Sequence, residues 1–244
     1  MNFTFEGYKS LLVLLKDNGY NVCSYHDWNE KDKCVILRHD VDFDLHKAVE
    51  MAEFENKHSV KSTYFVLISS DFYNAFSKDC SDCINSIMDY GHEIGLHFDE
   101  VRYPEASGNL DVISDLILEE CYTLQKIVHK PISTVSMHRP SRFLLESDLI
   151  IPGVVNSYSK EFFNGFKYLS DSRRRWREEP ERVITCNCFN RLHILTHSFW
   201  YNNQESDLRS SIFKYIADSK YKTYNNFNNN ITNFESILLK KELC

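Results

Sequence analysis

The sequence predicts an α/β fold in which a mostly parallel sheet, closed or nearly closed into a barrel, is covered by helices. Two observations predict it. Short apolar and β-branched segments alternate along the chain with longer segments whose apolar residues recur at helical spacing. Repeated strand–helix units give parallel strands with helices outside. Charged side chains also follow five of the predicted strands directly, and the active sites of such barrels lie at the carboxyl ends of the strands.

The elements follow from local pattern. The first helix, residues 5–17, has the charges and the period of an amphipathic helix. The predicted strands share apolar, β-branched or aromatic composition and are short: 34–37, 62–68, 93–97, 133–137, 153–156, 166–169 and 192–196. The other predicted helices share apolar residues on one side: 45–58, 80–90, 109–130 and segments from 206 onward. Gly91 predicts the end of the second of these. The Asn-rich tract 224–234 is interpreted as a loop or an insertion between helical turns.

Composition narrows the class of protein. The chain has 244 residues and a net charge of −7, which disfavours nucleic-acid binding. It has neither an apolar stretch long enough for a membrane span nor a signal-peptide pattern at its start, so we expect a cytoplasmic protein. We predict one domain over residues 1–244, with the helices 5–17 and 206–243 packed on a core of about 33–201.

The eight cysteines are expected to be free, buried small side chains, as is usual in a cytoplasmic chain. Cys80 and Cys83 form a C-x-x-C spacing, and Cys186 and Cys188 form C-x-C. A zinc site with four thiolates would need both pairs, and C-x-x-C alone is a weak signal. The second pair is interpreted instead as alternating positions on a strand.

Ionisable residues collect where five predicted strands end. They lie within residues 38–44 after the first strand and 97–100 at the end of the third. The other three strand ends supply His138 and Arg139, Asp171 and Arg173, and His197. Carboxylates with neutral imidazoles are the ligands of catalytic Zn²⁺ and similar ions. Such an ion lowers the pKa of bound water from ~15.7 to ~7, a carboxylate can accept the proton of that water, and a histidine can protonate the leaving group. The pattern indicates metal-assisted hydrolysis.

Five motifs resemble those of the NodB-homology polysaccharide deacetylases, the carbohydrate esterase family 4 superfamily, and most of all a divergent branch in surface-polysaccharide biosynthesis. They are RHDVD (38–42), GHEIGLH (91–97), HRPS (138–141), SDSRRRW (170–176) and LTHSFW (195–200). Their order and spacing agree over residues 33–201, and GHEIGLH is the most specific match. The resemblance implies an irregular (β/α) barrel of the polysaccharide deacetylase type, with seven or so parallel strands.

The resemblance also implies roles. Asp40 would be the general base, Asp42 and His97 metal ligands, and His197 the general acid. Asp171 and Arg139 would hold Asp40 or His197 in place by charged hydrogen bonds.

One position departs from the family pattern. The second metal-binding histidine of the family lies four residues after the first, where this chain has Val101. His138 is the preferred replacement, because it stands where the family has an arginine and ends an adjacent strand. Asp99 and Glu100 are the alternatives, and loss of the metal is a third.

The expected function is hydrolytic removal of an N-acyl group, acetyl or formyl, from an amino sugar. The reaction would need a divalent metal, and Zn²⁺ is the expected ion. The substrate would be a nucleotide- or lipid-linked precursor of a surface polysaccharide. The arginines of 173–177 form either a solvated face or a clamp for a phosphate on that carrier. A catalytically inactive sugar-binding barrel is the alternative. A helical phosphohydrolase with an His-Asp pair is disfavoured by the predicted strands.

Overall fold

The computed structural model describes residues 1–243, so Cys244, one of the eight cysteines, lies outside the described residues. The chain divides into two compact units, Met1–Asn203 and Gln204–Cys244. Every predicted site residue belongs to the first unit. The prediction of one domain over 1–244 stays a prediction.

The first unit is built on a parallel sheet. The strands among residues 1–243 are β1 (Asn21–Cys23), β2 (Cys34–Val41), β3 (Thr63–Val66), β4 (Glu93–Phe98), β5 (Thr134–Met137), β6 (Val155–Asn156), β7 (Lys167–Ser170) and β8 (Arg191–Thr196). Their order is β6-β5-β4-β3-β2-β8-β7, with β1 on the first half of β2, and all of the pairs are parallel. The predicted α/β fold with parallel strands is confirmed.

The sheet curls strongly, and one side chain shows by how much. The Arg38 guanidinium on β2 donates a 2.8 Å hydrogen bond to the Ser157 hydroxyl, which directly follows β6. In a flat sheet those strands would lie about 19 Å apart at ~4.8 Å per neighbour. An arginine side chain is much shorter than that. Within residues 1–243 no ladder joins β6 to β7, so the sheet is a half-barrel rather than a closed one.

Helices connect most of the strands. Those of the first unit are α1 (Phe5–Asp17), α2 (Leu45–Lys57), α3 (Lys78–Asp89), α4 (Leu110–Val128), α5 (Arg142–Glu146), α6 (Lys160–Asn164) and α7 (Pro180–Thr185). The first two helices begin with side-chain caps, since the Thr4 hydroxyl accepts from the Gly7 amide and the Asp44 carboxylate accepts from the His46 amide. Gly91 has a φ of +90°, which explains a glycine just after α3.

The second unit contains α8 (Leu208–Asn230). The interpretation of 224–234 as a loop is wrong for its first part, because α8 continues to Asn230. Tyr224 lies buried within the unit, with its ring 5.2 Å from that of Phe234 and its hydroxyl donating to the Leu238 carbonyl. Packing of this tyrosine outweighs the weak helix propensity of the asparagines. Among residues 1–243, no helix is both long enough and apolar enough to span a membrane.

Two further predictions need correction. The first core strand was expected to end at Leu37, yet β2 continues to Val41, because β3 pairs with Arg38–Val41 and β8 pairs with Cys34–His39. Cys186 and Cys188 were expected on a strand, but they follow α7, and both are exposed. Strand β1 and the short helices α5–α7 were not predicted, since each has too few residues for a recognisable period.

A buried carboxylate lies behind β2, on the face opposite to Asp40. Glu55 of α2 is fully buried, and four side chains form hydrogen bonds with its carboxylate: Tyr8 Oη at 2.6 Å, Ser62 Oγ at 2.6 Å, Tyr64 Oη at 2.8 Å and His39 Nε2 at 3.0 Å. Burial alone would raise the pKa of Glu55. The charge of His39 and the hydrogen bond that its ring donates, together with further contacts, lower the pKa of Glu55 to about 2. The network ties α1, α2 and β3 to the strand that holds Asp40.

We expect Glu55→Gln to destabilise the protein near neutral pH and to cost progressively less in acid. The ordinary pKa is 4.5 and the pKa in the folded protein is about 2. The stabilisation by the ionised carboxylate is therefore complete above pH 4.5 and is lost as the pH falls toward 2. This stabilisation by the ionised carboxylate is on the order of 3 kcal/mol. Urea unfolding of both proteins from about pH 7 down to about pH 3 measures it.

The matched control for this prediction is Glu53→Gln. Glu53 lies on the same helix but pairs at the surface with Lys57, so its replacement should cost under about 1 kcal/mol at any pH. Equal losses for the two variants, or a loss for Glu55→Gln that does not depend on pH, would contradict the role given to the network.

Candidate active site

The predicted site residues meet at one edge of the sheet. Because the strands are parallel, their carboxyl ends point the same way, and the site residues come from the last two positions of a strand or from the position directly after it. The residues are Asp40 and Asp42 at the end of β2, His97 near the end of β4, His138 directly after β5, Asp171 directly after β7 and His197 directly after β8.

Three of these side chains form a compact donor set for a metal ion. Asp42 Oδ1 lies 3.3 Å from His97 Nε2 and 3.3 Å from His138 Nδ1, and the two nitrogens lie 3.1 Å apart. Donors bound at ~2.1 Å to one ion lie about 3.0–3.4 Å from each other in octahedral or tetrahedral geometry. Asp42 Oδ1 is buried and has no hydrogen-bond partner within residues 1–243. A divalent ion fits this set and would satisfy that oxygen.

The structure separates His138 from the other candidates for the third ligand. The Asp99 carboxylate accepts from the Val101 amide and pairs with Arg139 at 3.0 Å. The Glu100 carboxylate accepts from the amide and the hydroxyl of Ser141. Neither acid belongs to the donor set, whereas His138 does. His138 reaches it because its amide continues the ladder, donating to the Phe98 carbonyl at 2.7 Å.

Electrostatics keep Asp42 ionised. Burial raises its pKa, but the close contacts with the His138 and His97 rings and the charges of nearby histidines lower the pKa far more, to well below the usual range. The carboxylate is therefore available as an anionic ligand at any physiological pH.

Asp40 is held by an arginine that the sequence analysis did not assign. Arg38 is fully buried, and its Nη2 donates to Asp40 Oδ2 at 2.8 Å and to Ser136 Oγ at 2.7 Å. The two residues are two apart on β2, so they share a face. The two-residue spacing is therefore the feature of the sequence that could have predicted this contact. Burial raises the pKa of Asp40, yet the charges of Arg38 and then His97 leave it lowered.

The predicted role of Arg139 needs correction. Its guanidinium does not contact Asp40 or His197 but pairs with Asp99, and 67 % of the side chain is exposed. His138, one residue earlier, is the side chain that faces Asp42. The backbone of Arg139 also turns into the left-handed region, with φ +48°. Among residues 1–243, the arginine that holds Asp40 is Arg38.

His197 and Asp171 form the second half of the site. Asp171 is fully buried and its Oδ1 lies 2.6 Å from His197 Nδ1, while its Oδ2 accepts from the His197 amide at 3.2 Å. Burial disfavours the imidazolium, but the charge of Asp171 and the hydrogen bond that its carboxylate accepts from the ring prevail and raise the pKa of His197 to about 9. The other ring nitrogen, Nε2, faces Asp42 Oδ2 at 3.7 Å. His197 is thus oriented, protonated and directed toward the metal donor set.

A cavity of about 740 Å³ opens over these groups. Its wall includes Asp40, Asp42, His97, His138 and His197. Its other lining residues include three arginines, Arg139, Arg173 and Arg177, and six aromatic residues, Phe43, Phe72, Tyr158, Phe163, Tyr168 and Trp200. The ring of Trp200 lies 6.2 Å from that of His197. The cavity therefore combines apolar rings with cationic groups beside a metal donor set.

We expect Arg38→Met to destabilise the protein by about 3–5 kcal/mol, because it leaves the buried Asp40 carboxylate without its charge partner. Urea unfolding measures the loss. In an Asp40→Asn background the same change should cost much less, since the uncompensated charge is gone. Equal costs in the two backgrounds would show that Arg38 acts through packing against Phe65 and Tyr158 and not through Asp40.

The chain is similar to several solved structures, whereas comparisons of its sequence found no match. No protein-family model matches the chain, and no curated protein matches it significantly. A family 4 carbohydrate esterase from Bacillus anthracis is 16% identical over 87% of this chain and 86% of that chain, with a TM-score of 0.45. A polysaccharide deacetylase from Bacillus cereus is 16% identical over 73% and 94%, with a TM-score of 0.44.

A third similar structure is a family 4 acetyl xylan esterase from Clostridium thermocellum in complex with a cobalt ion. It is 17% identical over 77% of this chain and 84% of that chain, with a TM-score of 0.41. At these identities the similarity concerns the fold. The structures that this chain is similar to are family 4 carbohydrate esterases and polysaccharide deacetylases, the group whose motifs its sequence resembles.

Proposed function

We propose that the protein is a metal-dependent hydrolase that removes an acetyl or formyl group from the nitrogen of an amino sugar. The observation that carries the proposal is the joint placement of two devices in one cavity. The donor set Asp42, His97 and His138 has the spacing of ligands around one divalent ion. The pair Asp171 and His197 supplies an oriented, protonated imidazole beside it.

A divalent ion, for which we propose Zn²⁺, would supply Lewis acidity toward the amide carbonyl and toward water. Asp42, His97 and His138 would hold it. Three protein ligands leave coordination positions open, as in other catalytic zinc sites.

The remaining steps fall to residues of this chain. Asp40 accepts a proton from the attacking water, since its Oδ1 is buried without a hydrogen-bond partner among residues 1–243. Arg38 holds the other oxygen of that carboxylate. His197 gives the proton from its Nε2 to the departing sugar nitrogen, so that amide and water become carboxylate and amine. Asp171 keeps the proton on the correct ring nitrogen by accepting from Nδ1.

The walls of the cavity support a sugar substrate that carries phosphate. Aromatic rings such as Tyr168 and Trp200 can stack on a sugar, and Arg173 and Arg177 can bind a phosphate. We therefore propose a nucleotide- or lipid-linked amino sugar, made by cytoplasmic enzymes for a surface polysaccharide. Arg173 has a left-handed backbone, with φ +61°, at the start of this arginine-rich turn.

The test is release of acetate or formate from nucleotide-linked N-acyl amino sugars by purified protein supplied with Zn²⁺. Turnover should stop when a chelator removes the metal and return on its addition. Arg173→Ala with Arg177→Ala should raise KM for the nucleotide-linked sugar and leave KM for the free sugar unchanged. Unchanged turnover in the chelated protein would refute metal dependence.

The second candidate function is binding of a sugar without catalysis. The observation that motivates it is Val101, which stands at the position of a family ligand and is 66 % exposed. Metal analysis of the purified protein separates the two candidates. Equal metal content in wild-type and Asp42→Ala protein after incubation with Zn²⁺ would favour the binding function, because the donor set would then hold no ion.

A further inference from the structure

A second cluster of metal-type donors lies outside the candidate active site. Cys83 of α3, His46 of α2 and Asp79 of α3 each offer one ligand atom, and these atoms all lie within 4.8 Å of one another. His46 Nδ1 is 3.4 Å from Cys83 Sγ, and His46 Nε2 is 3.0 Å from Asp79 Oδ2. Thiolate, imidazole and carboxylate are all ligands that Zn²⁺ accepts.

The spacing of sulfur and nitrogen suits a shared ion. With bonds of ~2.3 Å to sulfur and ~2.0 Å to nitrogen, tetrahedral zinc places those two donors about 3.5 Å apart. The side chains of His46 and Asp79 are 52 % and 50 % exposed, so water can reach the remaining position. Cys83 is buried at 7 %, which gives the site one fixed anchor.

The cluster also has a defined place in the fold. His46 is the second residue of α2, four residues after Asp42, and Cys83 and Asp79 lie on α3, the helix that packs along α2. An ion held here would join the two helices where the chain leaves the candidate active site. It would brace the segment from which Asp42 projects.

We propose that His46, Asp79 and Cys83 bind a second divalent cation, Zn²⁺, with water as the fourth ligand. Its role is structural. The donor set contains sulfur, whereas the set of Asp42, His97 and His138 contains only oxygen and nitrogen. The two sites therefore differ in the metal ions that they prefer, because thiolate favours soft ions such as zinc.

Cobalt distinguishes the sites directly. Co²⁺ bound to a thiolate shows a sulfur-to-metal charge-transfer band in the near ultraviolet, which a site of oxygen and nitrogen donors does not produce. In Asp42→Ala protein, where the other set is broken, titration with Co²⁺ should produce this band with about one equivalent bound. Zn²⁺ should then displace the cobalt and abolish the band.

Variants in the Asp42→Ala background complete the test. Cys83→Ser should abolish the band, and His46→Asn should weaken cobalt binding at least about 10-fold. His46 is half-exposed, so this variant keeps the proposal testable if Cys83→Ser does not fold. Cys121→Ser, which removes a buried cysteine of α4, is the control and should retain the band.

Absence of the band in Asp42→Ala protein, or its survival after Cys83→Ser, would overturn the proposal. Neither result depends on whether the protein hydrolyses amino sugars, since no activity is measured.

Discussion

His138→Ala protein is expected to lose the one equivalent of metal held with Asp42 and His97 and to hydrolyse N-acyl amino sugars on the order of 10³-fold more slowly than wild type. The physical reason is that His138 Nδ1 completes the donor set with Asp42 and His97. A metal ion contributes several kcal/mol to stabilising the developing charge, and each 1.4 kcal/mol is about a factor of ten in rate. Metal analysis by mass spectrometry and steady-state kinetics measure the two effects.

Asp99→Ala and Glu100→Ala serve as controls, because both acids were alternatives for the third ligand and both have other partners in the structure. They should retain the metal and most of the activity. If Asp99→Ala lost the metal while His138→Ala kept it, the assignment of the donor set would be refuted.

Asp40→Asn is expected to lower kcat by about 10²–10⁴-fold while the protein keeps its metal. Asparagine has nearly the shape of aspartate but cannot accept a proton, so the change removes the base and leaves the donor set intact. The effect should fall on kcat more than on KM, because the lost proton transfer occurs only in the transition state.

Asp71→Asn is the matched control for this variant. Asp71 also lines the cavity, but its side chain belongs to neither device of the proposed mechanism. Its replacement should change kcat less than about 3-fold. Loss of metal from Asp40→Asn protein, or equal losses from both variants, would argue against Asp40 as the base.

Local pattern was sufficient for most of the architecture. Period and composition predicted α1 at its observed bounds, and α2, α4 and the strands that carry the site to within a few residues. Parallel pairing followed from strand–helix alternation, because a helix returns the chain to the same end of the sheet. The same rule predicts that Asp40, Asp42, His97, Asp171 and His197 lie at one edge of the sheet.

The identity of the third donor could not be read from the sequence. His138, Asp99 and Glu100 all follow neighbouring strands, and chemical type does not separate them. The fold separates them through direction: the ladder between β4 and β5 turns His138 inward, while Asp99 and Glu100 bond to the loop after β5. Arg139 follows His138, and its side chain pairs with Asp99 and not with Asp40 or His197.

Sequence alone thus established the strand–helix alternation, the edge at which the charged residues gather and the class of chemistry that those residues suit, because each of these follows from local composition and period. The curl of the sheet decided the rest. It brings Ser157 beyond β6 to the Arg38 guanidinium, which also donates to Asp40. Curvature and side-chain direction depend on contacts between strands distant in sequence, and no local pattern contains them.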